Sequence, residues 1–317
     1  MIAPVALGIF ALLTNSLGSR WLRNASWTQR APGLGIVVWQ ALTLSVVLAF
    51  MLAGLSLALP SLPVSTSLAS LIDACVTALR QQYQAPGGLG VRIAGVVLAG
   101  GIVARLGYSI VSAMRKIRRD RLTQHQSLTL AATYSDRWQI SVVDHRVPTA
   151  YCVPGRRAKV VFTTGALCAL DDDQVRAVIA HERAHLRGRH DLVLALACAL
   201  RRSFPRLRCM TIGHDELARL LEMRADDVAL RHIDRLVMAK ALVTLSSGSL
   251  PVGALGAGGA TLARLHRLVE PSRSIRLPSR LVLAAGTFTL LALPIAIAAE
   301  PAAIAAAMNY CPLGISA

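Results

Sequence analysis

Ala180-His181-Glu182-Arg183-Ala184-His185-Leu186 is the stretch on which the reading of this chain turns. It spells H-E-x-x-H. Ahead of it, Asp171-Asp172-Asp173-Gln174 supplies a helix N-cap with acidic first-turn residues, and Val175, Val178 and Ile179 follow at helical spacing. The motif is therefore expected inside a helix. Four residues make slightly more than one turn, so His181 and His185 share a face and can hold one metal ion, with Glu182 close enough to reach a water on it. Two neutral imidazoles beside a carboxylate are the equipment of a zinc hydrolase: the metal lowers the pKa of bound water, and Glu182 takes the proton as that water attacks a carbonyl. The competing reading, a solvated helix face with these residues placed by chance, explains neither the cap nor the apolar phase.

Working outward, the mean hydropathy of +0.52 is too apolar for an ordinary soluble chain of 317 residues. Apolar runs at about 2–19, 34–59, 89–113 and 281–299 read as four membrane spans. They divide the chain into a membrane region, 1–113, a domain carrying the motif, 114–278, and a last span with a short tail, 279–317. Arg20, Arg23 and Arg30 follow the first run and no basic segment precedes it, which places the N-terminus outside and argues against a cleaved signal peptide. Between Met114 and Ser279 stand 27 Lys+Arg and 15 Asp+Glu, whereas 60–90 and 300–317 together hold only Arg80, Asp73 and Glu300. That is the positive-inside pattern, so the 114–278 domain is expected in the cytoplasm and both termini outside. A net charge of +17 needs no nucleic acid to explain it when the basic face lies beside anionic lipid headgroups.

The six cysteines form no C-x-x-C and no zinc-finger spacing. Cys152, Cys168, Cys198 and Cys209 fall in the cytoplasmic part as free thiols, while Cys75 and Cys311 fall outside, where a disulfide is possible. Arg92 and Arg105 within the third run are expected to snorkel to opposite membrane edges. Arg115, Lys116, Arg118, Arg119 and Arg121 mark its cytoplasmic end and a basic surface helix to about Leu130. Gln139–Val143, Ala150–Val153 and Lys159–Thr163 read as short strands, the last two a hairpin turned by Pro154-Gly155.

After the motif, Leu192–Leu200 is too short to span and reads as a continuation of the motif helix or as a core helix lying against the membrane, with His190 at the surface beside the site. From Asp215 a helix carries Leu217, Leu220, Leu221 and Val228 on one stripe, and Glu222 and Asp226 at i,i+4 on another. Two carboxylates on one face repel unless a metal or a metal-bound histidine lies between them, or unless Arg219, Arg224 and Arg231 pair with them. Ser246–Gly259, rich in Gly and Ser, is expected to be a mobile loop, and Thr261–Val269 a helix with Arg264 and Arg267. The chain contains no internal repeat.

Asp144-His145, Ala150-Tyr151-Cys152-Val153-Pro154-Gly155, Val160 to Leu167, His181 to Asp191 and Glu222 to Asp226 together give a resemblance. Over roughly 110–270 the chain resembles the membrane-embedded zinc peptidases typified by the beta-lactam receptor transducers of Gram-positive bacteria, especially their short actinobacterial relatives. The resemblance implies an α+β membrane protein in which about four transmembrane helices carry a mainly helical cytoplasmic gluzincin domain with a small β-sheet. It implies one zinc ion on His181, His185 and Glu222, Glu182 as catalytic base, and Asp226 orienting a ligand histidine. It also implies that Tyr151, Cys152 and Val153, or the hairpin partner of that strand, pair with an extended substrate peptide. The oxyanion-stabilising residue stays open between His214, His232 and several arginines. The larger receptors carry a penicillin-binding domain after the last span, whereas about 18 residues follow Ala299 here, so direct sensing of a beta-lactam is not expected. The expected activity is cleavage of a cytoplasmic protein, such as a winged-helix repressor in a signalling pathway, with self-cleavage possible. The alternatives are a heat-shock type quality-control protease and a non-enzymatic membrane adaptor.

Overall fold

The computed structural model describes residues 2–58, 88–155, 158–249, 255–270 and 275–309. The segment expected as an outer loop after Pro60, its amphipathic piece near Leu68–Leu79, and both Cys75 and Cys311 lie outside the described residues. Among the described residues four helices are long and apolar enough to cross a membrane. They are α1 (Ile2–Asn24, with a π-turn at Thr14–Gly18), α3 (Pro32–Ala58), α4 (Gly88–Ala131) and the segment Leu277–Glu300 at the start of the last helix. A short α2 (Trp27–Arg30) joins the first two.

Helix α3 is the axis of the bundle. Trp39, Leu42, Val46 and Ala49 are buried in it and share one cluster with Leu7 and Ala11 of α1. Against α4 the approach is governed by small residues: a Cβ on Gly95 would lie 2.6 Å from the Gly54 carbonyl oxygen, and one on Gly54 would lie 2.9 Å from the Ala99 nitrogen. Only glycine at these two positions permits that backbone contact.

Helix α4 runs unbroken from the apolar span into the basic segment, so the third span and the surface helix are one element. Arg105 finds a partner within the protein: its Nε donates to the Ser203 carbonyl, placing a cation at the C-terminus of another helix.

A four-stranded sheet follows, β1 (Ala132–Ser135), β2 (Ile140–Val143), β3 (Ala150–Val153) and β4 (Lys159–Thr163), in the order β1-β2-β4-β3. β3 and β4 form the expected antiparallel hairpin, β2 and β4 run parallel, and β1, not anticipated from the sequence, pairs antiparallel with β2. Ile140, Val160 and Phe162 bury one face of this sheet against Val175, Val178 and Ile179. Those three residues lie on α6 (Asp172–Gly188), which follows the short α5 (Thr164–Ala169). Next come α7 (His190–Ser203), α8 (Arg208–Ala229), α9 (Arg235–Ser249), α10 (Leu255–Val269) and α11 (Leu277–Asn309).

The stretch Ser246–Gly259, expected as a loop, is largely helical: α9 continues to Ser249 and α10 begins at Leu255. Glycine costs a helix about 1 kcal/mol relative to alanine, a weak penalty that neighbouring helix formers can override. The apolar stripe of α8 buries Leu217, Leu220 and Leu221 in the same cluster as Trp39 and Leu42 of α3, which seats the helix on a span.

Candidate metal centre

Helix α6 begins as its sequence prescribes, with the Asp171 carboxylate accepting from the Gln174 backbone N–H at 2.8 Å and from the Gln174 side chain at 2.8 Å. Three turns later the histidines of the motif face the same space. His181 Nε2 and His185 Nε2 lie 3.1 Å apart. Glu222 of α8 closes the triangle, its Oε2 3.5 Å from His181 Nε2 and its Oε1 3.4 Å from His185 Nε2. Bonds of about 2.0–2.1 Å in a tetrahedron put zinc's donors roughly 3.3–3.4 Å apart, so the triangle has the dimensions of one face of such a site. Among the described residues no further His, Cys, Asp or Glu joins this cluster, which leaves a position for water and fits a catalytic site better than a structural one.

Asp226, one turn beyond Glu222 and only 1% exposed, sets its Oδ1 2.9 Å from His181 Nδ1. A carboxylate beside Nδ1 favours a proton there, so that Nε2 is the nitrogen turned to the triangle and available to a metal. The cation that balances the two carboxylates is none of Arg219, Arg224 and Arg231. Arg219 pairs with Glu216 at 2.6 Å. The partner is Arg264 of α10, which grips Asp226 with Nε to Oδ2 at 2.8 Å and Nη2 to Oδ1 at 2.7 Å, and reaches Glu222 Oε2 with Nη1 at 2.9 Å. Arg267, one turn on, pairs with Asp227 and donates to the Met223 carbonyl, so two arginines fasten α10 onto α8.

The electrostatics follow from this packing. Burial pushes the Glu222 carboxyl up, but contacts with His181 and Arg264 outweigh it and hold the pKa at about 2. Asp226 is held well below the ordinary carboxylate range by His181 and Arg264, again against burial. Burial lowers the His181 pKa, yet its contacts with Asp226 and Glu222 raise it to about 9, whereas burial carries His185 down to about 4. Glu182 is pushed up by burial.

The substrate-side expectations meet at strand β3. The hairpin partner β4 is interior, so of the two hairpin strands it is β3 that lies at an edge of the sheet, β1 being the other edge. Tyr151 is exposed, while Val153 is fully buried against Val161 and Leu128 and presents only backbone at that edge. Between them Cys152 is half-buried and close to Glu182 of the motif helix. Burial first, and Glu182 second, push its thiol up to about 12, so it is inert as a nucleophile. Of the oxyanion candidates, His214 is engaged with Asp215 at 2.9 Å and His232 is exposed.

Three participants escaped the sequence reading. His190, expected at the surface, is only 6% exposed and lies against His185. Arg264 and Arg267 carried a usable signal, a basic pair three residues apart among Leu262, Leu265 and Leu268.

Residues 114–277, just over half the chain, match the peptidase family M48 pattern, and this segment contains the histidine pair, both carboxylates and Arg264. No solved structure matches the chain. With the His181/His185/Glu222 cluster compatible with a bound metal, the match makes this chain, which has four span-length apolar helices among its described residues, a metallopeptidase and a member of peptidase family M48.

Proposed function

We propose that the protein is a zinc-dependent integral membrane endopeptidase in which His181, His185 and Glu222 hold one zinc ion, Glu182 is the general base and Asp226 orients His181. The observation that carries this reading is the donor triangle with its fourth position open and Glu182 on the same helix. Zinc, when bound, supplies Lewis-acid polarisation of the scissile carbonyl and of the attacking water. Glu182 takes the proton of that water and delivers it to the leaving nitrogen, a role its raised pKa suits. The open edge of β3 pairs with the substrate backbone and lays an extended peptide across α6, with Tyr151 beside it.

The substrate is a cytoplasmic protein, and the transducer-like stretch Ala150–Leu167 favours a regulatory client such as a winged-helix repressor, with self-cleavage as a second event. The charge asymmetry supports a catalytic domain in the cytoplasm with both termini outside. The exposed Arg115, Lys116, Arg118 and Arg119 on α4 then lie against anionic headgroups.

The test compares new protein N-termini in the native host between wild type and Glu182→Gln at matched expression, with and without cell-wall stress. Loss of a general base is expected to cut turnover by about 100-fold or more while the purified variant keeps its zinc. A few cuts lost, one of them in a DNA-binding repressor, supports the regulatory reading. Many lost cuts in membrane proteins put quality control in its place, and identical profiles under every condition remove the protease reading.

A further inference from the structure

Helix α6 does not simply end after the motif. It stops at Gly188, Arg189 takes a left-handed conformation (φ 47°, ψ 43°), and α7 starts at once with His190. The Arg189 N–H caps the carbonyls of His185 and Leu186, and Asp191 is pinned to Arg121 of α4. The abrupt turn folds the His190 imidazole back over the last turn of α6. There it occupies the space a side chain at 188 would need: a Cβ on Gly188 would lie 2.4 Å from His190 Nε2 and 2.6 Å from its Cδ2. Gly188 has an ordinary helical backbone, so what its position requires is room for a ring rather than conformational freedom. The ring so placed sets its Nδ1 3.0 Å from His185 Nδ1, edge to face at an interplanar angle of 82°.

His185 turns its other nitrogen, Nε2, to the donor triangle. An imidazole that gives Nε2 to a metal must carry its proton on Nδ1 and needs an acceptor there. The two histidines of the motif meet that need differently: His181 faces a carboxylate, Asp226, and His185 faces His190.

We infer that His190 is a positioning residue for the metal centre, the neutral acceptor that fixes the tautomer and ring orientation of His185, and that Gly188 is glycine to admit it. His190 is not itself a ligand, because it meets His185 on the nitrogen remote from the triangle. This inference rests on the zinc reading of the site.

The experiment measures zinc affinity of the full-length protein in detergent by competition with a chromophoric chelator, for wild type, His190→Ala, His190→Asn and Gly188→Ala, alongside thermal unfolding. Loss of such an outer partner typically weakens metal binding roughly 10–100-fold, and that is the expectation for His190→Ala. His190→Asn, whose carbonyl can stand where Nδ1 stood, should recover most of it. Gly188→Ala should weaken zinc binding although it leaves every histidine in place. Alanine ordinarily stabilises a helix relative to glycine, so weaker zinc binding with undiminished thermal stability separates this from general damage. Wild-type affinity in a folded His190→Ala protein, or no recovery with asparagine, overturns the inference while the zinc reading stands. A wild-type protein that binds no zinc removes both.

Discussion

At the scale of single residues, what was legible was what is local. H-E-x-x-H places two imidazoles and a carboxylate by helical spacing alone, and the i,i+4 pair Glu222 and Asp226 announces itself the same way. What closes the site crosses the sequence: Arg264 meets Asp226 38 residues away, and the basic pair at 264 and 267 marks a helix face without naming its partner. His190 escaped because its placement depends on a left-handed Arg189, a backbone state that favours Gly or Asn and is seldom expected of arginine. Cys152 was quoted for its strand, yet its thiol bears on Glu182. A hydrogen bond donated to a carboxylate favours the charged form and lowers its pKa, here opposing the upward push of burial on Glu182. Removing the donor must raise that pKa. Since a base works ionised, the acid limb of kcat/KM for the zinc-loaded enzyme should lie higher in pH for Cys152→Ala than for wild type. The profile is read with a quenched peptide substrate, and an unmoved or lowered limb would show that the thiol does not bear on Glu182.

At the scale of elements, the apolar runs and the β3–β4 hairpin were legible because each satisfies one strong local rule, length in the first case and alternation about a turn in the second. β1 was not. Ala132-Thr133-Tyr134-Ser135 continues directly from α4, has no apolar alternation, and becomes a strand only because β2 offers it an edge. The contact of α3 with α4 was equally hidden, since glycine in a span has several uses and only the partner tells which applies. Gly95 and Gly54 bring backbone against backbone, whereas Gly90, Gly100, Gly101 and Gly107 on the same α4 have nothing within 4 Å of where a Cβ would stand. Gly95→Leu should therefore force the helices apart and cost about 1–3 kcal/mol, as overpacking does. Gly101→Ala should be neutral or slightly stabilising. Thermal unfolding of both variants in one detergent checks this, and equal behaviour of the two would refute the close approach.

At the scale of the whole molecule, the family match covers 114–277, but the packing does not respect that boundary. Sequence similarity follows the chemistry, and the physical unit is larger because the helix that supplies Glu222 has its other face on a span. Leu217, Leu220, Leu221 and Met223 are all at most 2% exposed, in one cluster with Trp39, Leu42 and Val46 of α3, and a Cβ on Gly213 would lie 3.3 Å from the Trp39 ring. The sequence showed an apolar stripe on this helix without showing that its partner was a membrane span. Each such side chain contributes about 1.5–3 kcal/mol when buried, so uncovering four forfeits roughly 6–12 kcal/mol, comparable with the whole net stability of about 5–15 kcal/mol of a domain. Residues 114–277 produced alone should thus fail to form a zinc-binding monomer, and supplying 1–113 as a separate chain in the same membrane should restore metal uptake. Gel filtration and zinc content decide it: a monomeric fragment with one tightly bound zinc and full-chain turnover would show that the spans only anchor the enzyme. The expected failure would instead make α3 part of the scaffold that holds Glu222 against the histidines, so that Trp39→Ala should lower zinc content in the intact chain as well.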